Sequence, residues 1–215
     1  MQNFDISQFM ITIVPLVFAV TIHEVAHGYA ALRMGDPTAK LAGRLTLNPI
    51  SHFDLFGSLI LPLLLSISGA PVFGYAKPVP VNPLNYSDYR RGTLLVSSAG
   101  VAANLACAIL SGIVFQTLRH VSIPAAVVPV MLPVMEMLFY SVIINIVLMV
   151  FNLIPIPPLD GSHIFAMILP ENFRASYQQI GRFGMLIIFV LLTTKVIGKI
   201  IHSVVNPLGD LLLGR

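Results

Sequence analysis

Charge is what this chain has least of. Only 10% of its 215 residues are Asp, Glu, Lys or Arg, against roughly 25% in an ordinary soluble domain. With 56% hydrophobic residues and a mean hydropathy of +0.88, a water-soluble globule is excluded and an integral membrane protein is expected. Cysteine is limited to Cys107, which rules out a disulfide framework. The net charge of +3 is scattered, with no basic cluster interleaved with aromatics, so no nucleic-acid partner is expected. The start, "MQNFDISQF", lacks Lys or Arg ahead of its apolar run, so the first span is expected to stay in the mature chain. Internal repeats and low-complexity tracts are absent too. The length suits one compact unit, residues 1–215, with nothing left over for an appended soluble domain.

What is present is a series of apolar runs. Phe9 to Leu32 is long enough to cross ~30 Å of hydrocarbon, with Pro15 as a candidate kink. Leu55 to Ser68 is shorter and holds Pro62, which suits a re-entrant or interfacial element. Thr93 to Leu118 is uncharged and rich in small residues, so it is expected to pack closely on its neighbours. Met131 to Leu153 ends in "IPIPPLDG", which cannot continue a regular helix. The last run, Phe183 to about Val204, carries Lys195, Lys199 and His202 on one face. The fold expected is an all-α polytopic bundle of about four to six transmembrane helices, with re-entrant or interfacial elements. The proline pattern of "GYAKPVPVNP" predicts a short extended segment.

Lys and Arg gather between the first and third long runs at Arg33, Lys40, Arg44, Lys77, Arg90 and Arg91, whereas Leu118 to Val130 has only Arg119. The positive-inside rule places the former region in the cytoplasm. A re-entrant Leu55–Ser68 keeps all six cations on that side and brings the ends of the first and fourth runs to similar depth.

Against this background "VTIHEVAHGYA" is costly. Two imidazoles and a carboxylate inside a lipid-spanning helix each cost a few kcal/mol unless something pairs with them. His23 and His27, four apart, share a helix face and can aim two nitrogens at one metal ion, most often zinc, while Glu24 stands beside them. A zinc site that keeps one position open needs a third protein ligand. Asp160, Glu136 and His163 are candidates. Glu136 reads better as an interfacial carboxylate, and Asp160 by itself would be a helix N-cap. Spacing does not decide between Asp160 and His163. A cation held by two neutral imidazoles and a carboxylate lowers the pKa of a water towards ~7, with Glu24 in place to act as general base.

"HEVAH", "AGVAANL" and "NLIPIPPLDG" together resemble the site-2 protease family of intramembrane zinc metalloproteases, over about Val14 to His163. The resemblance implies that His23, His27 and Asp160 bind one Zn2+ per chain and that Glu24 is the catalytic acid/base. It places Asn152 near the active site and matches Asn104 to the Asn of the family's small-residue helix. Either Asn is a candidate for holding an oxyanion or the substrate backbone. It implies single-span membrane proteins as substrates, cut within or near the bilayer, often after a first cut elsewhere. A multi-pass protein of a prokaryotic cell membrane is expected, its active site nearer the cytoplasm. Val101 stands where the family often has Pro, and Ser162 where it often has a second Gly; neither removes a catalytic group. A membrane metal-ion transporter is the competing reading, but it has little use for a non-ligating Glu between two ligating His.

Overall fold

A computed structural model describes residues 6–68 and 75–215. The first helix, α1 (Ile6–Arg33), continues through Pro15 and is followed by the single turn α2 (Thr38–Leu41). A π-helical turn, Phe56–Ile60, leads into α3 (Leu61–Ser68), and the long helices α4 (Tyr89–Arg119) and α5 (Val128–Asn152) follow. Beyond the proline segment lie α6 (Asp160–Ile168), α7 (Glu171–Gln179), α8 (Gly184–Thr193) and α9 (Val196–Leu213). The architecture is all-α and polytopic, with no strand among the described residues.

Helices α1, α4 and α5 pack on one another, with α9 against α5 and α4. Their core holds Ala108, Val142, Ile146, Met149, Val150, Val205 and Leu213. Large apolar residues such as Phe18, Leu110, Ile113 and Leu132 point outward instead. That inversion is what lipid as solvent demands, since close packing between helices rather than burial of bulk drives assembly there. Gly112 shows it: a Cβ at this position would lie 2.9 Å from the carbonyl oxygen of Leu212.

The C-terminal end of α9 is clasped by α4. Gln116 Nε2 donates to Leu212 O at 2.8 Å, and Arg119 to Gly214 O at 3.3 Å. Helix α9 therefore runs parallel to α4 and antiparallel to α5. By length and composition five helices can cross a membrane, including Glu171–Thr193. Yet the chain leaves α5 and enters α9 towards the same end of the bundle. The Glu171–Thr193 stretch, broken by a 3-10 turn at Ile180–Phe183, does not connect opposite ends. Its second half, α8, starts against Pro157.

Two expected elements have different bounds. The run Phe183 to Val204 is not one helix, because Lys195 adopts φ 60° between α8 and α9, a left-handed conformation that ends a helix. The Leu55–Ser68 run occupies the π turn and α3, and by Tyr75 the chain is back where it entered, with Tyr75 N donating to Gly57 O at 3.0 Å. From there residues 75–82 run without helix, and alternate amides are tied down. Lys77 N donates to His52 O at 2.9 Å and Val79 N to Glu24 Oε2 at 2.7 Å. On the carbonyl side, Arg44 Nη2 donates to Lys77 O at 2.8 Å.

A buried carboxylate locks the end of this segment. Asp36, 0% exposed, accepts from Asn82 N at 2.6 Å, Asn85 Nδ2 at 2.8 Å and Thr38 N at 3.1 Å, and also from the Thr38 hydroxyl. Burial alone pushes its pKa up. These hydrogen bonds outweigh that push and hold it below the ordinary carboxylate value.

Candidate metal centre

His23, Glu24 and His27 lie in the second half of α1, and one face of α4 is built to receive them. Val96, Gly100 and Asn104, spaced four apart, line up along that face. His23 Nδ1 donates to Asn104 Oδ1 at 2.6 Å, and His27 Nδ1 donates to the carbonyl oxygen of Val96 at 2.7 Å. Gly100 lets the imidazoles approach, since a Cβ there would sit 2.5 Å from both His23 Cε1 and His27 Nε2. Neither oxygen partner carries a hydrogen to give, so both Nδ1 atoms carry the proton and both Nε2 atoms present lone pairs.

Asp160 reaches the same point from the start of α6. Pro157 and Pro158 break the chain after α5, and the missing Cβ of Gly161 lets the turn close on the backbone of Leu153. The N-cap of α6 is Leu159, so Asp160 does not serve as a cap. Its Oδ2 lies 3.2 Å from each of His23 Nε2 and His27 Nε2, which are themselves 3.0 Å apart. Buried Asp160 Oδ2 has no hydrogen-bond partner. Three lone-pair atoms face one another at close range, an arrangement that repels itself without a cation between them. Bonds of ~2.0–2.2 Å in a tetrahedral zinc site set ligand-to-ligand edges of roughly 3.3–3.6 Å. The observed triangle is within a few tenths of an ångström of that size, so these residues fit a metal ion.

The other expected residues fall into two groups. Glu24, Asn152 and His163 line one cavity of about 950 Å³ together with the three clustered side chains. Helix α8 contributes Met185, Leu186, Ile188 and Phe189 to its wall, and the 75–82 segment contributes Ala76, Pro78, Val79 and Val81. His163 is not part of the three-residue cluster. Asn152 lines the cavity and donates to Leu148 O of its own helix at 3.0 Å. Asn104 lies elsewhere: it is 0% exposed and sits behind His23 rather than in the cavity. Its oxygen faces the imidazole, and its amide group donates to Ala19 O at 3.3 Å and to Asn145 Oδ1 at 2.8 Å. Glu136 is exposed on α5, away from the cluster.

Sequence reasoning missed the Val96 carbonyl, the clearance at Gly100 and the Val79 amide on Glu24. Two of these are backbone groups with no side-chain signature. Gly100 could have been found as the small residue four before Asn104.

Comparison with known proteins adds an independent line. The model of peptidase family M50 matches residues 120–194, the part with α5 and the LDG motif but not HEVAH. A candidate zinc metalloprotease of Bacillus subtilis strain 168, YwhC, is 36% identical over 212 residues, covering 94% of this chain and 88% of the relative. Rip2 of Mycolicibacterium smegmatis, named in the same way, is 29% identical over 196 residues, 89% of this chain and 70% of its own. Rip2 of Mycobacterium tuberculosis H37Rv is 30% identical over 209 residues, 94% and 74% respectively. No solved structure matches. Full-length likeness to YwhC, together with the matched model, means that the chain belongs to peptidase family M50, the site-2 proteases, and is a multi-pass membrane metalloprotease.

Proposed function

We propose that His23, His27 and Asp160 hold one zinc ion and that Glu24 is the general base of peptide-bond hydrolysis in single-span membrane substrates. The observation that carries this reading is the facing of two Nε2 lone pairs and the orphaned Asp160 oxygen, with both Nδ1 protons committed elsewhere. Bound there, zinc supplies Lewis acidity and brings a water towards deprotonation near neutral pH.

The protein's own groups do the rest. Val79 N–H holds Glu24 Oε2, which leaves Oε1 to take the proton of the attacking water and return it to the leaving amine. Asn104 orients His23, a role that follows from its burial behind the imidazole. Asn152, on the cavity wall, has a second amide hydrogen besides the one given to Leu148 O, and that hydrogen is assigned to an oxyanion or the substrate backbone. A substrate helix hides its carbonyls in its own hydrogen bonds, so a stretch must unwind before attack. Segment 75–82 borders the cavity and receives that stretch in extended form. Prolines at 78 and 80 leave Ala76 as the amide donor on its alternate edge. The cations flanking this region support a site nearer the cytoplasmic side.

Cleavage of a reporter transmembrane helix by purified protein tests the reading. Glu24→Gln is expected to stop cleavage with zinc still bound, and a zinc chelator to stop it in the wild type. Full cleavage by Glu24→Gln would remove Glu24 from its role, and metal flux without cleavage would favour a transporter.

A further inference from the structure

We infer that Asn145, on α5 and outside the active-site cavity, is a positioning residue that holds His23 in its metal-binding tautomer through Asn104. The inference rests on the proposed role of His23 as a metal ligand.

Each link in the chain of hydrogen bonds has a single allowed polarity. Asn145 Nδ2 lies 2.8 Å from the backbone oxygen of Ser141, which can only accept. The NH2 group of Asn145 must face that oxygen, so its Oδ1 turns to Asn104. Asn104 in turn must present its NH2, at 2.8 Å, and spends its second amide hydrogen on Ala19 O at 3.3 Å. Only Oδ1 of Asn104 is left for His23, at 2.6 Å. That forces the proton onto Nδ1 and the lone pair onto Nε2, the atom that faces Asp160.

The two ends of this relay are carbonyls of helices α5 and α1, which cannot flip. Both Asn side chains are buried, at 0% and 1% exposure, so water does not compete to reorient them. With Leu at 145, one amide hydrogen of Asn104 loses its acceptor, and the longer 3.3 Å bond to Ala19 O is what still opposes inversion. An inverted Asn104 amide would then put N–H against Nδ1 and move the imidazole proton to Nε2, where it blocks a metal. Polar pairs of this kind also glue membrane helices together, and the test must separate the two roles.

Co2+ titration of the purified full-length protein, read by its visible absorption bands, makes that separation. Asn145→Leu is expected to weaken Co2+ binding about 10-fold, the lower end for outer-shell partners of ligating His. It should add nothing in an Asn104→Ala background. Asn145→Asp, protonated at that depth, keeps an acceptor for Asn104 and a donor for Ser141 O and should restore wild-type binding. Should Asn145→Leu fail to fold, Asn145→Ser, which lacks the reach to Asn104, carries the same comparison. A lowered melting temperature with unchanged Co2+ affinity and spectrum would reduce Asn145 to interhelical glue. Additive losses in the double variant would also overturn the proposal. Absence of Co2+ binding in the wild type would instead bring down the metal assignment itself, and this inference with it.

Discussion

The wall behind the two histidines and the wall in front of Glu24 are built in opposite ways. Behind, one face of α4 supplies a carbonyl, a glycine and an asparagine from regular helix, and every polar group is paired inside the bundle. In front, a segment with no secondary structure is tied down by separate bonds to His52, Arg44, Glu24 and Asp36. A metal site gains from ligands that cannot move. A surface that receives an unwound peptide gains from backbone groups not already spent on a helix. Disturbing the rear wall should therefore alter metal binding, and disturbing the front wall should alter substrate handling with the metal site intact.

The largest effect is expected at Gly100. Gly100→Ala places a methyl 2.5 Å from atoms of both imidazoles, so metal content measured on purified protein should fall to background and cleavage should cease. Retention of stoichiometric metal would break the contrast at its rear side. Next comes Glu24→Gln, for which cleavage should fall about 10²–10⁴-fold, the range for a positioned general base, with metal content unchanged. A smaller effect belongs to Asp36. Asp36→Ala frees the Asn82 amide and the Asn85 side chain, and KM for a reporter helix should rise about tenfold, in keeping with a lost buried hydrogen-bond partner, at constant metal affinity. A change in metal affinity instead would show that the two walls are one unit.

The smallest effect is on acid stability. Because the folded pKa of Asp36 is held below its ordinary value, its stabilisation is complete above about pH 4 and is lost as pH falls through the folded value. Melting temperature against pH should lose this component of its acid slope in Asp36→Asn.

Much of this was legible in the residues. The spacing of His23 and His27 required a shared helix face, and the apolar runs around Phe9–Leu32, Thr93–Leu118 and Met131–Leu153 match α1, α4 and α5 with ends displaced by a few residues. The short Leu55–Ser68 run read as a re-entrant element, and the chain does come back beside Gly57. Less legible was the C-terminal third. A hydropathy run cannot register a single residue at positive φ, so the break at Lys195 was hidden. Length and composition alone would have counted Glu171–Thr193 as a crossing.

By itself, then, the sequence determined the solvent, the long helices and the shared helix face of His23 and His27 with Glu24 beside them, because hydropathy and helical period are local properties. Tertiary structure decided which acid joins them, that Asn104 stands behind His23 rather than on the cavity wall, and that a backbone amide at Val79 caps Glu24. Those outcomes depend on contacts between residues 55 to more than 130 positions apart. Such contacts are set by how α1, α4 and α5 come into register and by the turns that return the chain to them, and no local pattern records that.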